Sequence, residues 1–128
     1  MPQAITKRRG LTRLLYTLVN SGRALRWLLR HEEAFQLEAV LALIFLPSVY
    51  FIASSPLQAS LMVAVTLLVL LVEALNTAIE VVVDRISTEH HSLSGLAKDL
   101  GSLAVTLALL TWLAVWVPIV WPLITRYI

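Results

Sequence analysis

A chain of 128 residues that is 59% apolar and only 14% charged lies outside the range of soluble domains, which run near 45–50% apolar and about 25% charged. Its net charge of +2 is too small to suggest nucleic acid as a partner, and the absence of cysteine excludes disulfides. With a mean hydropathy of +0.82, residues 1–128 read as a single integral-membrane domain.

Seven of the ten basic residues lie in the first thirty positions: Lys7, Arg8, Arg9, Arg13, Arg23, Arg26 and Arg30. A cleaved signal peptide needs an apolar stretch soon after such a region. Here the first long one begins only at Ala39, so an uncleaved amino terminus is expected. Residues 10–31 predict a helix. Within LTRLLYTLVNSGRALRWLLR, Leu11, Leu14, Leu15, Leu18, Leu25 and Leu29 gather roughly on one side, with arginines elsewhere. That is the pattern of an amphipathic helix lying in the membrane interface, its basic side drawn to anionic lipid.

Three apolar spans follow. The run AVLALIFLPSVYFIA, residues 39–53, is shorter than the ~20 residues that cross ~30 Å of hydrocarbon. The first span is therefore expected to reach back into EEAFQLE and to cover about 35–53, with a kink at Pro47. The second covers 57–83 and the third about 98–124. The first link, SSPLQAS, is uncharged, whereas the second contains Arg85 and Lys98. By the positive-inside rule the amino terminus and the second link are expected in the cytoplasm, and the carboxyl terminus in the periplasm. Trp116, Trp121 and Tyr127 would form an outer aromatic belt, and Trp27 an inner one.

The second span changes character midway. Sixteen uncharged residues, LQASLMVAVTLLVLLV, lead directly into EALNTAIEVVVD. Ionisable groups inside a membrane segment are costly and mark functional sites by default. At about 100° per residue, Glu73, Asn76, Glu80 and Asp84 share a sector about 80° wide. If Leu57 sits at the outer boundary, ~30 Å of hydrocarbon ends near Asn76. Glu73 then lies just inside the cytoplasmic boundary, with Glu80 and Asp84 at headgroup level. Carboxylates so placed suit Mg²⁺, which takes one or two of them together with substrate phosphates. Glu32 and Glu33 sit at the same level, and Lys98 and Asp99 are expected at the start of the third helix, where phosphate binds well.

Together these groups make a phosphoryl-transfer kit. The competing reading pairs Asp84 with Arg85, leaves His90 and His91 solvated, and makes Lys98 a boundary marker. Among only four glycines there is neither a Walker-type loop nor a G-x-G-x-x-G. Ala97, Gly101, Ala104 and Ala108 form a small-residue stripe that allows close helix approach in lipid.

EALNTAIEVVVDRIS followed by SLSGLAKDLGSLAV resembles the signature of the bacterial membrane diacylglycerol kinase family, E-x-x-N-[ST]-A-I-E-x-x-V-D and then A-K-D-x-[GA]-[SA]. The likeness extends from G-L-T-R at 10–13, through E-x-A-F-x-x-E at 32–38, to the third span. It implies an all-α membrane protein with three transmembrane helices and an amino-terminal surface helix, assembled as a homotrimer in the bacterial inner membrane. It also implies transfer of the γ-phosphate of MgATP to the hydroxyl of diacylglycerol, giving phosphatidic acid. By position, Glu73 is then the general base, supported by Asn76, and Glu32 and Glu80 hold Mg²⁺. Arg13, Asn20, Glu32, Glu80, Glu89, His90, His91, Lys98 and Asp99 face the nucleotide. Arg13, Ala34, Phe35, Glu38, Glu73 and Ser102 face the lipid. Glu33 is assigned to the solvated side.

The chain departs from the family pattern at Gly22, where tryptophan is frequent, and at Asn20 and His90, where tyrosine is. Two alternatives stand beside this reading: an undecaprenol kinase of the same family, and a non-enzymatic oligomer whose acidic face lines an ion path.

Overall fold

The computed structural model describes residues 10–126 and 128; the basic run Lys7, Arg8 and Arg9 and the belt residue Tyr127 lie outside the described residues. Four helices follow in order, α1 (Leu11–His31), α2 (Glu33–Ile52), α3 (Pro56–Ile86) and α4 (Ser92–Thr125). The last three are each long and apolar enough to cross a membrane. The chain divides after Glu33 into two compact units.

In the first unit, α1 opens on Gly10 at φ 67°, a left-handed conformation that favours glycine, and Arg13 N–H donates to the Gly10 carbonyl at 3.1 Å. It closes at Glu32, which turns to extended backbone while its N–H donates to Leu28 at 3.0 Å. His31 stacks on Trp27, ring centroids 4.9 Å apart.

In the second unit, α2 runs unbroken through Pro47 to Ile52. Ser55 then caps α3 by accepting from Gln58 N–H at 3.2 Å, while Gln58 Oε1 accepts from Ser54 N–H at 2.9 Å. With Pro56 at the first helical position, this is a reciprocal cap that fixes the reversal between spans.

At the other end the structure corrects the predicted boundary. The last helix begins at Ser92, not near Lys98, because His91 Nδ1 accepts from Leu93 N–H at 3.2 Å and Gly95 N–H donates to the His91 carbonyl at 3.0 Å. Lys98 and Asp99 thus sit about 9 Å along the helix, beyond its dipolar N-terminus.

Successive contacts run α3 and α4 antiparallel: Thr66 with Trp112, Asn76 with Gly101, Asp84 with Lys98. The core lies towards the α2–α3 turn, where Val49, Met62, Val65 and Trp116 are buried together. Met62 is fully buried. Phe45 of α2 meets Trp112 and Trp116 edge-on at 4.8 and 5.0 Å, and the two indoles stack at 5.0 Å. Trp116, expected in the outer belt, is therefore a core residue, 3% exposed, whereas Trp121 stays exposed. Of the small-residue stripe, Gly101 and Ala108 are buried and Ala104 is exposed.

Candidate active site

The buried stripe of α3 consists of Met62, Val65, Thr66, Val69, Glu73 and Thr77. This heptad-like spacing faces the neighbouring helices, and Glu73 occupies it where a further apolar residue would be expected. Its carboxylate is consequently withdrawn from solvent, with only 5% of the residue exposed. Glu38 of α2 lies within electrostatic reach of Glu73. One oxygen of Glu38, Oε2, is buried with no hydrogen-bond partner. Directly beyond it an apolar cavity of about 300 Å³ opens between the three helices, bounded by Ala42, Phe45, Val69, Leu109 and Trp112.

One turn further along α3, Asn76 Nδ2 donates to Glu80 Oε1 at 3.3 Å. The Asn76 Oδ1 atom is buried without a partner and lies against Gly101. A methyl group at Gly101 would run into that oxygen, so glycine is what lets α4 approach here. Hard, neutral or anionic oxygens are therefore concentrated at one level of the helix pair. Among the described residues, no three acidic or histidine side chains converge as a self-sufficient metal cage. A single carboxylate held by an amide is compatible with an ion that takes its remaining ligands from phosphates.

Beyond Glu80, Lys98 Nζ donates to Asp84 Oδ1 at 2.7 Å. Asp84 pairs across to α4 and not along its own helix to Arg85, which corrects the simplest sequence reading. The pair borders a pocket of about 180 Å³ where α3 ends and α4 begins, and Glu89, His90 and His91 line it as well. His91 also serves as the cap of α4, so its Nδ1 is committed to the backbone. Asp99 is exposed. Ser102 turns its hydroxyl back to the Lys98 carbonyl at 3.2 Å. Phe35 is buried and Ala34 exposed on the first turn of α2.

The first unit carries the remaining predicted residues. Arg13 and Asn20 are exposed and seven positions apart on α1, hence on one face. Asn20 Oδ1 accepts from Arg23. Glu32 is half-buried at the end of α1, and Glu33 is exposed at the start of α2.

Asp84, placed by the sequence on the same face as Glu73 and Glu80, has a partner that sequence spacing did not show. The signal for it was the opposite charge on Lys98, fourteen positions later, across a helical reversal.

Residues 19–120 match the family described as "Prokaryotic diacylglycerol kinase". The chain is 43% identical over 110 residues to "Diacylglycerol kinase" of Haemophilus influenzae, covering 86% of this chain and 93% of that one. It is 38% identical over 112 residues to "Diacylglycerol kinase" of Escherichia coli K12, covering 88% and 92%. To the protein of the same description in Pseudomonas aeruginosa it is 38% identical over 115 residues, covering 87% and 94%.

Proposed function

The chain belongs to the prokaryotic diacylglycerol kinase family, and from that premise we propose how its residues divide the reaction between them. The protein is an ATP-dependent kinase of a bacterial membrane that phosphorylates diacylglycerol. Neither the undecaprenol kinase nor the ion-path reading is favoured beside these relatives.

The observation that carries the assignment of roles is the burial of Glu73 on the packing stripe of α3, one turn from the Asn76–Glu80 pair. The acceptor hydroxyl binds beside Glu73. As its oxygen bonds to the γ-phosphorus, Glu73 takes the hydroxyl proton, and the bond to the β-phosphate oxygen breaks. Phosphatidic acid and ADP leave, and the proton passes to water. Withdrawal from solvent supports this role, because a hydrogen bond from the lipid hydroxyl is stronger where water does not compete.

Glu80 and Glu32 would hold Mg²⁺, with Asn76 fixing the Glu80 carboxylate; hard oxygen donors suit that ion. Bound there, Mg²⁺ would supply charge neutralisation to the nucleotide phosphates. Lys98, with Asp99, Arg13, Asn20, Glu89, His90 and His91, binds the nucleotide. Arg13, Ala34, Phe35, Glu38 and Ser102 contact the lipid, whose chain continues into the apolar space beside Glu38.

Residues 1–128 act as one kinase domain, with α1 as an amphipathic helix in the interface. The protein works as a homotrimer in the inner membrane. Its amino terminus and the 87–91 link face the cytoplasm, and its carboxyl terminus the periplasm.

The test is transfer of labelled γ-phosphate by purified protein to diacylglycerol or to undecaprenol. Labelled phosphatidic acid is the expected product. Label found only in undecaprenyl phosphate, or in neither lipid, would overturn the reading.

A further inference from the structure

Lysine carries its ammonium on a flexible four-carbon stem, with rotamer entropy to lose when a ligand fixes it. A lysine that already has a partner has lost much of that freedom before the ligand arrives. In this chain Lys98 has such a partner: its Nζ donates to Asp84 Oδ1 at 2.7 Å, across the antiparallel α3–α4 pair. The pair is half-open to solvent, with the two side chains 40% and 55% exposed. An ammonium has three donors. One is used by Asp84, and Lys98 lines the pocket between the two helix ends.

Two further observations bear on what Asp84 is for. An ion pair this exposed contributes little to stability, so holding the fold together is a weak reason for it. Glu80 also lies within electrostatic reach of Lys98. Without Asp84, the ammonium would have Glu80 as its remaining acidic neighbour on α3, and Glu80 already accepts from Asn76.

We infer that Asp84 is a positioning residue: it fixes the Lys98 ammonium at the mouth of the α3–α4 pocket, ready for a nucleoside triphosphate, and keeps it off Glu80. The inference rests on the reading of Lys98 as a nucleotide-binding residue. Asp84 itself touches no substrate. It acts through Lys98, and its loss is felt in nucleotide affinity and in the metal requirement that passes through Glu80.

The experiment compares Asp84→Asn, Asp84→Glu, Arg85→Gln, Lys98→Met and the double variant Asp84→Asn/Lys98→Met in the full-length protein. It measures kcat, the KM for MgATP and for diacylglycerol, the Mg²⁺ concentration at half-maximal rate, and the thermal midpoint. Asp84→Asn is expected to raise the KM for MgATP about tenfold, on the scale of a misplaced binding charge, and to raise the Mg²⁺ requirement. The lipid KM and the thermal midpoint should stay put. Asp84→Glu should recover most of the loss, and Arg85→Gln should behave as the unmodified protein. The double variant should be no worse than Lys98→Met alone, because the two residues act as one unit.

Unchanged or lowered KM for MgATP in Asp84→Asn would overturn the inference, a lowered value marking Asp84 as a competitor for Lys98. Additive losses in the double variant, or a drop in thermal midpoint that tracks the loss of activity, would overturn it too. Normal kinetics in Lys98→Met would remove the nucleotide role of Lys98 and this inference with it. Failure of the unmodified protein to phosphorylate lipid would instead remove the underlying reading.

Discussion

Glu73 and Glu80 stand on the same helix seven positions apart, and their surroundings differ in the way the two tasks proposed for them require. Glu73 is enclosed by the helices, whereas Glu80 is half-buried and bonded to Asn76. Loss of a general base slows the chemical step while leaving nucleotide binding in place. Glu73→Gln keeps the shape of the side chain, and kcat should fall by about 10²–10⁴-fold, with no recovery at raised Mg²⁺. Glu80→Gln and Glu32→Gln should instead shift the Mg²⁺ dependence to higher concentration, with partial recovery there, while the exposed Glu33→Gln stays near normal. A metal titration of kcat for the four variants separates these outcomes. Rescue of Glu73→Gln by Mg²⁺, with Glu80→Gln dead at every concentration, would exchange the two roles.

Between α3 and α4, the pairing of elements rests on small polar contacts inside an apolar interface. Trp112 Nε1 donates to Thr66 Oγ1 at 3.0 Å, and that hydroxyl donates on to the Met62 carbonyl at 2.7 Å. Interhelical bonds of this kind contribute about 0.6–2 kcal/mol in membrane proteins. Thr66→Val keeps the volume and removes the acceptor, so it should lower resistance to denaturation by an amount in that range, read from unfolding in mixed micelles. In a Trp112→Phe background the same change should cost much less. This bond was not legible in the sequence, since Thr66 stands alone among apolar residues and its partner is 46 positions away. The existence and order of the spans were legible, because long uncharged runs leave few alternatives in a membrane. So was the sharing of one face by Glu73, Asn76 and Glu80, which follows from helical periodicity alone. The start of α4 was not: its first turns are polar and glycine-containing, and hydropathy registers only the part that would enter hydrocarbon. Trp116 was misplaced for a related reason. Nearness to the end of a span suggests an interfacial belt, but which way an indole points is decided by Phe45 and Met62 on other helices.

For the molecule as a whole, the absence of cysteine makes single-cysteine probes unambiguous. Ser55 caps α3, so the exposed Ser54 is the better outer site, with Ser92 at the opposite end. A membrane-impermeant thiol reagent applied to intact cells should label Ser54→Cys and spare Ser92→Cys; the reverse pattern would invert the proposed orientation. Crosslinking in mild detergent should end at three chains, and a ladder ending at two would count against the trimer. The aromatic layer of Phe45, Trp112 and Trp116 has a mechanical consequence for α3. Packing is tight at the level of Met62 and Val65, while an open volume of about 300 Å³ lies between that level and Glu38. Glu73 is eight residues beyond Val65, a lever arm of about 12 Å at 1.5 Å per residue. Tilting α3 by about 5° about the tight layer would carry the carboxylate by about 1 Å, enough in other enzymes to cost about a hundredfold in rate. The tight layer is thus the pivot that any such tilt of α3 would turn about.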